Sequence, residues 1–191
     1  MSPDPAVGLG QIEAADPAFD LELFKRQAVQ TFLAVKQAIA SRDLTDVVDG
    51  LSDRVYDDLR LDVQGLLARD AVQHFDGLAP TQVVVAAAER GSQGDVITLR
   101  IQAVAMEFLG RVDSGGFVPG APGAFTEFWT FSRPLDATAP VSPPNECPNC
   151  GAPIDVDTGR ICHYCKTLLP PPHAQTGWMV AAIRPAQENA G

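Results

Sequence analysis

Hydrophobic residues recur along this chain at two different spacings, and the change from one to the other divides it. Leu21, Phe24, Ala28, Phe32, Val35 and Ile39 return every three or four positions, as one face of a helix does, up to about Ser41. Asp16-Pro17 reads as the start of that helix, because a carboxylate at the N-cap accepts free backbone N–H groups and proline tolerates the first helical position. A short helical piece is predicted over 43–49, stopped by Gly50. Ser52 reads as the next N-cap, ahead of Val55, Leu59, Val63, Leu66 and Leu67. This stripe runs weakly on towards Phe75 and puts His74 on a fraying helix end.

From Pro80 the spacing shortens to the alternation of strands, predicted over 81–89, 95–109, 125–133 and 177–183. Gly91-Ser92-Gln93-Gly94 reads as a hairpin loop. In the second strand the apolar face passes from Ile97, Leu99 and Ile101 to Val104, Met106 and Phe108, which predicts a bulge near Gln102 or Ala103. Helices first and an antiparallel meander afterwards predict an α+β fold with the helices packed on one face of a curved sheet. Residues 1–15 carry Pro3, Pro5, Gly8 and Gly10 without a period and read as a flexible N-terminal arm.

All four cysteines fall in two pairs, Cys147-Pro148-Asn149-Cys150-Gly151 and Cys162-His163-Tyr164-Cys165. The two-residue gap lets both sulfurs of a turn point at one centre, and two such turns complete a tetrahedral shell, so the expected ligands are Cys147, Cys150, Cys162 and Cys165 and the expected cofactor is one structural zinc ion. Disulfides and another metal or redox chemistry are the competing readings. Gly151 suits the position after a knuckle, where positive φ relieves crowding. Four sulfurs leave no open coordination site, which argues against catalysis by the ion. His163 and His173 stand nearby, but a complete cysteine set makes them unnecessary.

Prolines at 140, 143, 144 and 170–172 delimit this module, between strands that can pair as a hairpin. The expected organisation is an arm over 1–15, an α+β domain over 16–139, a zinc-ribbon insertion over 140–172, and the last strand with a tail over 173–191. In the third strand, alternation puts Phe125, Glu127, Trp129 and Phe131 on the face that meets the helices. Glu127 then lies at a cleft that Phe32, Tyr56, Phe125 and Trp129 also line. A buried carboxylate could act as a general base, with Tyr56 or Arg100 as a helping group; the structural alternative pairs Glu127 with Arg100 or Arg111.

The 14 Lys plus Arg against 24 Asp plus Glu give a net charge of −10, which makes nucleic acid an unfavourable partner and simple adsorption to anionic lipid a poor one. The basic residues Lys25, Arg26, Lys36 and Arg42 could still form a docking strip on the first long helix. No apolar run approaches the roughly 18 residues of a membrane span, and no apolar segment with basic flanks precedes Lys25. The expected location is therefore the cytoplasm or the cytoplasmic face of a membrane.

With Asp16-Pro17-Ala18-Phe19, Arg42-Asp43-Leu44, Leu51-Ser52, Trp129-Thr130-Phe131-Ser132-Arg133, the cysteine ribbon and Trp178 in that order, the chain resembles the bacterial Tim44-like domain family over residues 8–184. It is most similar to the zinc-ribbon-bearing branch. The resemblance implies a cone-shaped domain of the nuclear transport factor two-like (NTF2-like) type and a binding or adaptor role without turnover, related to membranes or protein transport. The partner it implies is a protein, peptide or lipid-like ligand, with peripheral membrane contact. The alternative class is a small-molecule pocket enzyme or ligand-binding protein with Glu127 as its acid or base.

Overall fold

The computed structural model describes residues 4–111, 123–135, 146–147, 149–153, 162–167 and 177–186. The chain begins with a helix, α1 (Pro5–Ala15), where the lack of a period had suggested a loose arm. Asp4 caps it by accepting the Ala6 N–H, and Pro5 sits at its first turn. Only Gly8 and Ile12 are buried, so the helix carries almost no amphipathic signal. It docks through backbone approach: Gly8 lies so close to Ala88 that an added Cβ would stand 1.9 Å from the Ala88 carbonyl oxygen.

The long helix α2 (Leu21–Ser41) starts at Asp20, which accepts the Leu23 N–H at 2.8 Å. The expected cap, Asp16, instead closes α1 and accepts from Arg133. Leu23, Phe24, Ala28, Phe32 and Val35 form the buried stripe of α2, and Arg42 ends it in the left-handed region. The piece predicted over 43–49 is a single 3₁₀ turn at Val48–Gly50. Ser52 caps α3 (Asp53–Ala68) as expected and buries Val55, Leu59, Val63 and Leu66. Helix does not continue towards Phe75; it stops at Ala68, and Asp70 turns the chain at positive φ into a strand that already includes His74.

Four strands follow, β1 (Ala71–Gly91), β2 (Gly94–Arg111), β3 (Gly123–Arg133) and β4 (Met179–Pro185), antiparallel in the order β1-β2-β3-β4. Gly91 pairs with Gly94 around the predicted hairpin loop. The bulges lie in β1, not in β2: register shifts fall at Asp76/Ala79, Pro80/Gln82 and Val85/Ala87, whereas β2 pairs with β3 without interruption. The apolar face of β2 does not switch. It continues as Ala103 and Ala105, both buried, while Val104 is exposed. Extra residues on an edge strand bend the sheet, which accounts for the curvature expected from a bulge elsewhere.

The core lies between the helices and the concave face, where Phe24, Phe32 and Val35 meet Ile97, Leu99, Ile101, Trp129, Phe131 and Val180. Trp129 packs edge-on against Phe32 at 5.4 Å, and Phe24 edge-on against Phe131 at 5.4 Å, contacts worth about 0.5–1.5 kcal/mol each beyond area burial. The cysteine cluster falls in sequence between β3 and β4, as the insertion reading requires. The module boundaries at 139/140 and 172/173 lie outside the described residues.

Candidate functional site

Two turns of the same design meet at the cysteines. In the first, the Cys147 N–H donates to the Ala152 carbonyl at 2.8 Å and the Gly151 N–H donates to the Cys147 carbonyl at 2.8 Å. In the second, the Cys162 N–H donates to the Thr167 carbonyl at 2.9 Å and the Lys166 N–H to the Cys162 carbonyl at 2.9 Å. Gly151 (φ 69°) and Lys166 (φ 59°) occupy equivalent left-handed positions. The first is the glycine expected there. The second carries a side chain where the conformation costs roughly 1–2 kcal/mol, a departure that spacing alone did not signal.

These turns bring all four sulfurs within 4.8 Å of one another. Cys147 and Cys165 Sγ are 3.6 Å apart, and Cys150 and Cys162 Sγ 3.8 Å, far beyond a disulfide bond. A tetrahedron with metal–sulfur bonds of about 2.3 Å has edges of about 3.8 Å, so the donor set and its spacing fit a four-thiolate metal site. Cys147 and Cys162 are buried, Cys150 is exposed, and Asn149 donates to the Thr167 hydroxyl, which lies 3.3 Å from Cys165 Sγ. Hydrogen bonds from the Thr167 hydroxyl, the Asn149 side chain and the Thr167 backbone hold the Cys165 thiol down at about 5. At Cys150 the Ala152 backbone N–H favours the thiolate, but burial and the sulfurs of Cys165, Cys147 and Cys162 prevail and push the thiol up to about 12. His163 is exposed beside the cluster and is not among the grouped ligands, and His173 lies outside the described residues.

The strands leading into and out of this module are tied to the domain by Arg133, a residue that sequence reasoning passed over. Its guanidinium donates to Asp16 at 2.6 Å and to Asp95 at 2.9 Å, and it stands 4.9 Å from the Trp178 ring centroid. Asp95 is 2% exposed and also pairs with Arg90 at 2.7 Å. Bridging two carboxylates through separate nitrogens while stacking on an indole is what a planar guanidinium does and an ammonium cannot.

The residues expected to share a cleft separate into two groups. Phe32 and Trp129 are fully buried in the core, and Tyr56 packs against that core on α3. Phe125 and Glu127 line a cavity of about 690 Å³ with Lys36, Phe75, Gln102 and Glu107. Lys36 Nζ donates to Glu127 Oε1 at 2.6 Å, and Trp129 Nε1 donates to Glu127 Oε2 at 2.9 Å. The Lys36 ammonium also stands 5.6, 5.3 and 5.3 Å from the ring centroids of Phe32, Phe75 and Phe125. Glu127 thus has an ion-pair partner, but it is Lys36 rather than Arg100, which donates to Gln82 and pairs across the sheet with Phe128; the Arg111 side chain lies outside the described residues. Lys36 is 9% exposed, which removes it from the basic strip proposed with Lys25, Arg26 and Arg42. The cavity wall is half polar, through Gln73, Thr81, Gln102 and Thr126, where an apolar cleft was expected.

Helices packed on one face of a curved four-stranded antiparallel sheet define an α+β protein of the NTF2-like class. Within it, the model of the Tim44-like domain matches residues 6–141, and the chain belongs to that family. The match begins inside α1, so this helix is part of the domain and not an appendage, and it ends ahead of the cysteine turns. A comparison with curated proteins found no match. The family points to a non-enzymatic, protein-transport-related kind of role and to interaction with protein or membrane lipid in general. No helix among the described residues is long and apolar enough to cross a membrane.

Proposed function

We propose that the protein is a non-enzymatic adaptor of the Tim44-like type, with one structural zinc ion in its cysteine module and a protein partner recognised by that module. The observation that carries this reading is the family match over 6–141. Cys147, Cys150, Cys162 and Cys165 would hold the ion, which supplies cross-linking alone, since four thiolates fill its tetrahedron and leave no position for water or substrate. The second turn presents His163 and Tyr164 to solvent; Tyr164 is 70% exposed, and an aromatic held on a rigid turn is an inexpensive anchor for a protein surface. Peripheral contact at the cytoplasmic face of a membrane would draw on Arg26 and Arg42 at opposite ends of α2 rather than on a continuous strip, since Lys25 is paired with Glu22 at 2.8 Å.

The pocket-enzyme alternative receives less support. Both Glu127 oxygens already accept hydrogen bonds, from Lys36 and Trp129, and neither Tyr56 nor Arg100 lines the cavity beside it. The adaptor reading is tested by affinity capture from native membranes with the full chain and with Tyr164→Ala. A protein recovered reproducibly by the natural sequence and lost with Tyr164→Ala is expected. Failure to recover any partner would overturn the adaptor role, and equal recovery by both chains would overturn the assignment of the contact surface.

A further inference from the structure

The two cysteine turns share one backbone design but differ in the side chains around their second sulfurs, a difference that a closed four-sulfur shell does not itself require. We propose that Thr167 and Asn149 are positioning residues for the metal centre, which hold the Cys165 thiolate in place and thereby govern retention of the ion. The proposal rests on the zinc reading above and adds to it the residues outside the sulfur shell that matter.

Each turn is a control for the other. Cys150 and Cys165 close the first and second turn, Gly151 and Lys166 follow in the left-handed region, and Ala152 and Thr167 come next. The backbone N–H of Ala152 donates to Cys150 and that of Thr167 to Cys165, so the main-chain donors are equivalent. The side chains are not. Ala152 has no donor, whereas the Thr167 hydroxyl lies 3.3 Å from Cys165 Sγ. Tyr164 is 70% exposed, whereas Asn149, at the equivalent place in the first turn, reaches across to the Thr167 hydroxyl at 3.0 Å and also donates to Cys165. Apart from bonds to sulfur, the Asn149–Thr167 contact is the hydrogen bond that joins the two turns among the described residues.

Chemistry fixes the direction of these bonds. A metal-bound cysteine is a thiolate and can only accept. The Asn149 amide occupies a lone pair of the Thr167 oxygen, which leaves the hydroxyl hydrogen free to point at the sulfur. Donors to a thiolate make charge-assisted bonds that fix its orientation, and removing such partners of metal ligands typically costs about ten- to a hundredfold in metal affinity.

The test is competition for zinc between a chelator of known affinity and the full chain, with the visible spectra of the same proteins loaded with cobalt(II). Thr167→Val keeps the branched shape and removes the hydroxyl. It should lower zinc affinity about ten- to a hundredfold and move the sulfur-to-cobalt charge-transfer band to lower energy, because a sulfur that has lost a donor gives up its electron more easily. Thr167→Ser should restore both. Should Thr167→Val not take up the ion at all, Asn149→Ala, an exposed change, carries the same test with shifts in the same direction. Unchanged affinity, a band that stays in place while affinity falls, or a serine variant that rescues neither would overturn the positioning role while leaving the zinc reading intact. A natural chain that binds no zinc would overturn both.

Discussion

Glu127 and Lys36 stand 91 positions apart and meet at 2.6 Å, with side chains only 14% and 11% exposed. Alternation along β3 was enough to turn Glu127 towards the helices. Its partner was not legible, because a lysine on an amphipathic helix reads as solvated unless three phenylalanines are known to surround it. Removing one member of such a pair strands the other charge in a poorly hydrated place. Glu127→Gln is therefore expected to cost about 3–5 kcal/mol in urea unfolding, while Lys36→Met combined with Glu127→Gln recovers much of that loss. Strictly additive losses would contradict the pairing. The cysteines give a second residue-scale prediction, for the reduced, metal-free protein. With Cys165 held down at about 5 and Cys150 pushed up to about 12, Cys165 is the thiolate at pH 7 and Cys150 the thiol. Mass spectrometry after limited treatment with iodoacetamide should find Cys165 labelled first. Labelling that follows exposure, with Cys150 first, would contradict the assignment.

Among the elements, α2, α3 and the meander were legible from the spacing of apolar residues, because each buries a broad stripe. α1 was not, since it buries little more than Ile12 and the bare backbone of Gly8. Small residues that dock by close approach leave no hydrophobic period. The same holds for β2, where Ala103 and Ala105 carry the inward face and larger neighbours on the outward face draw attention away from them. Gly8 and Gly10 separate docking from helix propensity. Gly8→Ala must lift α1 off the Ala88 carbonyl and should destabilise by about 1–3 kcal/mol, as overpacking does. Gly10→Ala meets nothing within 4 Å and should stabilise by about 0.5–1 kcal/mol through helix propensity. Urea titrations of the two variants check the contrast; equal effects of the same sign would mean that α1 is not seated on β1.

At the scale of the whole molecule, a Tim44-like α+β domain carries a cysteine module on the connection between β3 and β4, with Arg133 and Trp178 braced together at its base. The two Cys-x-x-Cys pairs were the most legible feature of the sequence, because chain geometry leaves few other uses for that spacing. The bridging role of Arg133 was not legible there, as its partners Asp16 and Asp95 come from distant segments. Among the described residues the main core includes none of the four cysteines, so chelating a bound metal should leave the far-ultraviolet circular dichroism of helices and sheet nearly unchanged. The adaptor reading, carried by the family match, also requires that the proposed metal centre be closed and non-reactive. X-ray absorption at the zinc edge of the purified protein measures it most directly: four sulfur neighbours at about 2.3 Å are predicted, and a nitrogen or oxygen neighbour at about 2.0–2.2 Å, or no zinc at all, would contradict it.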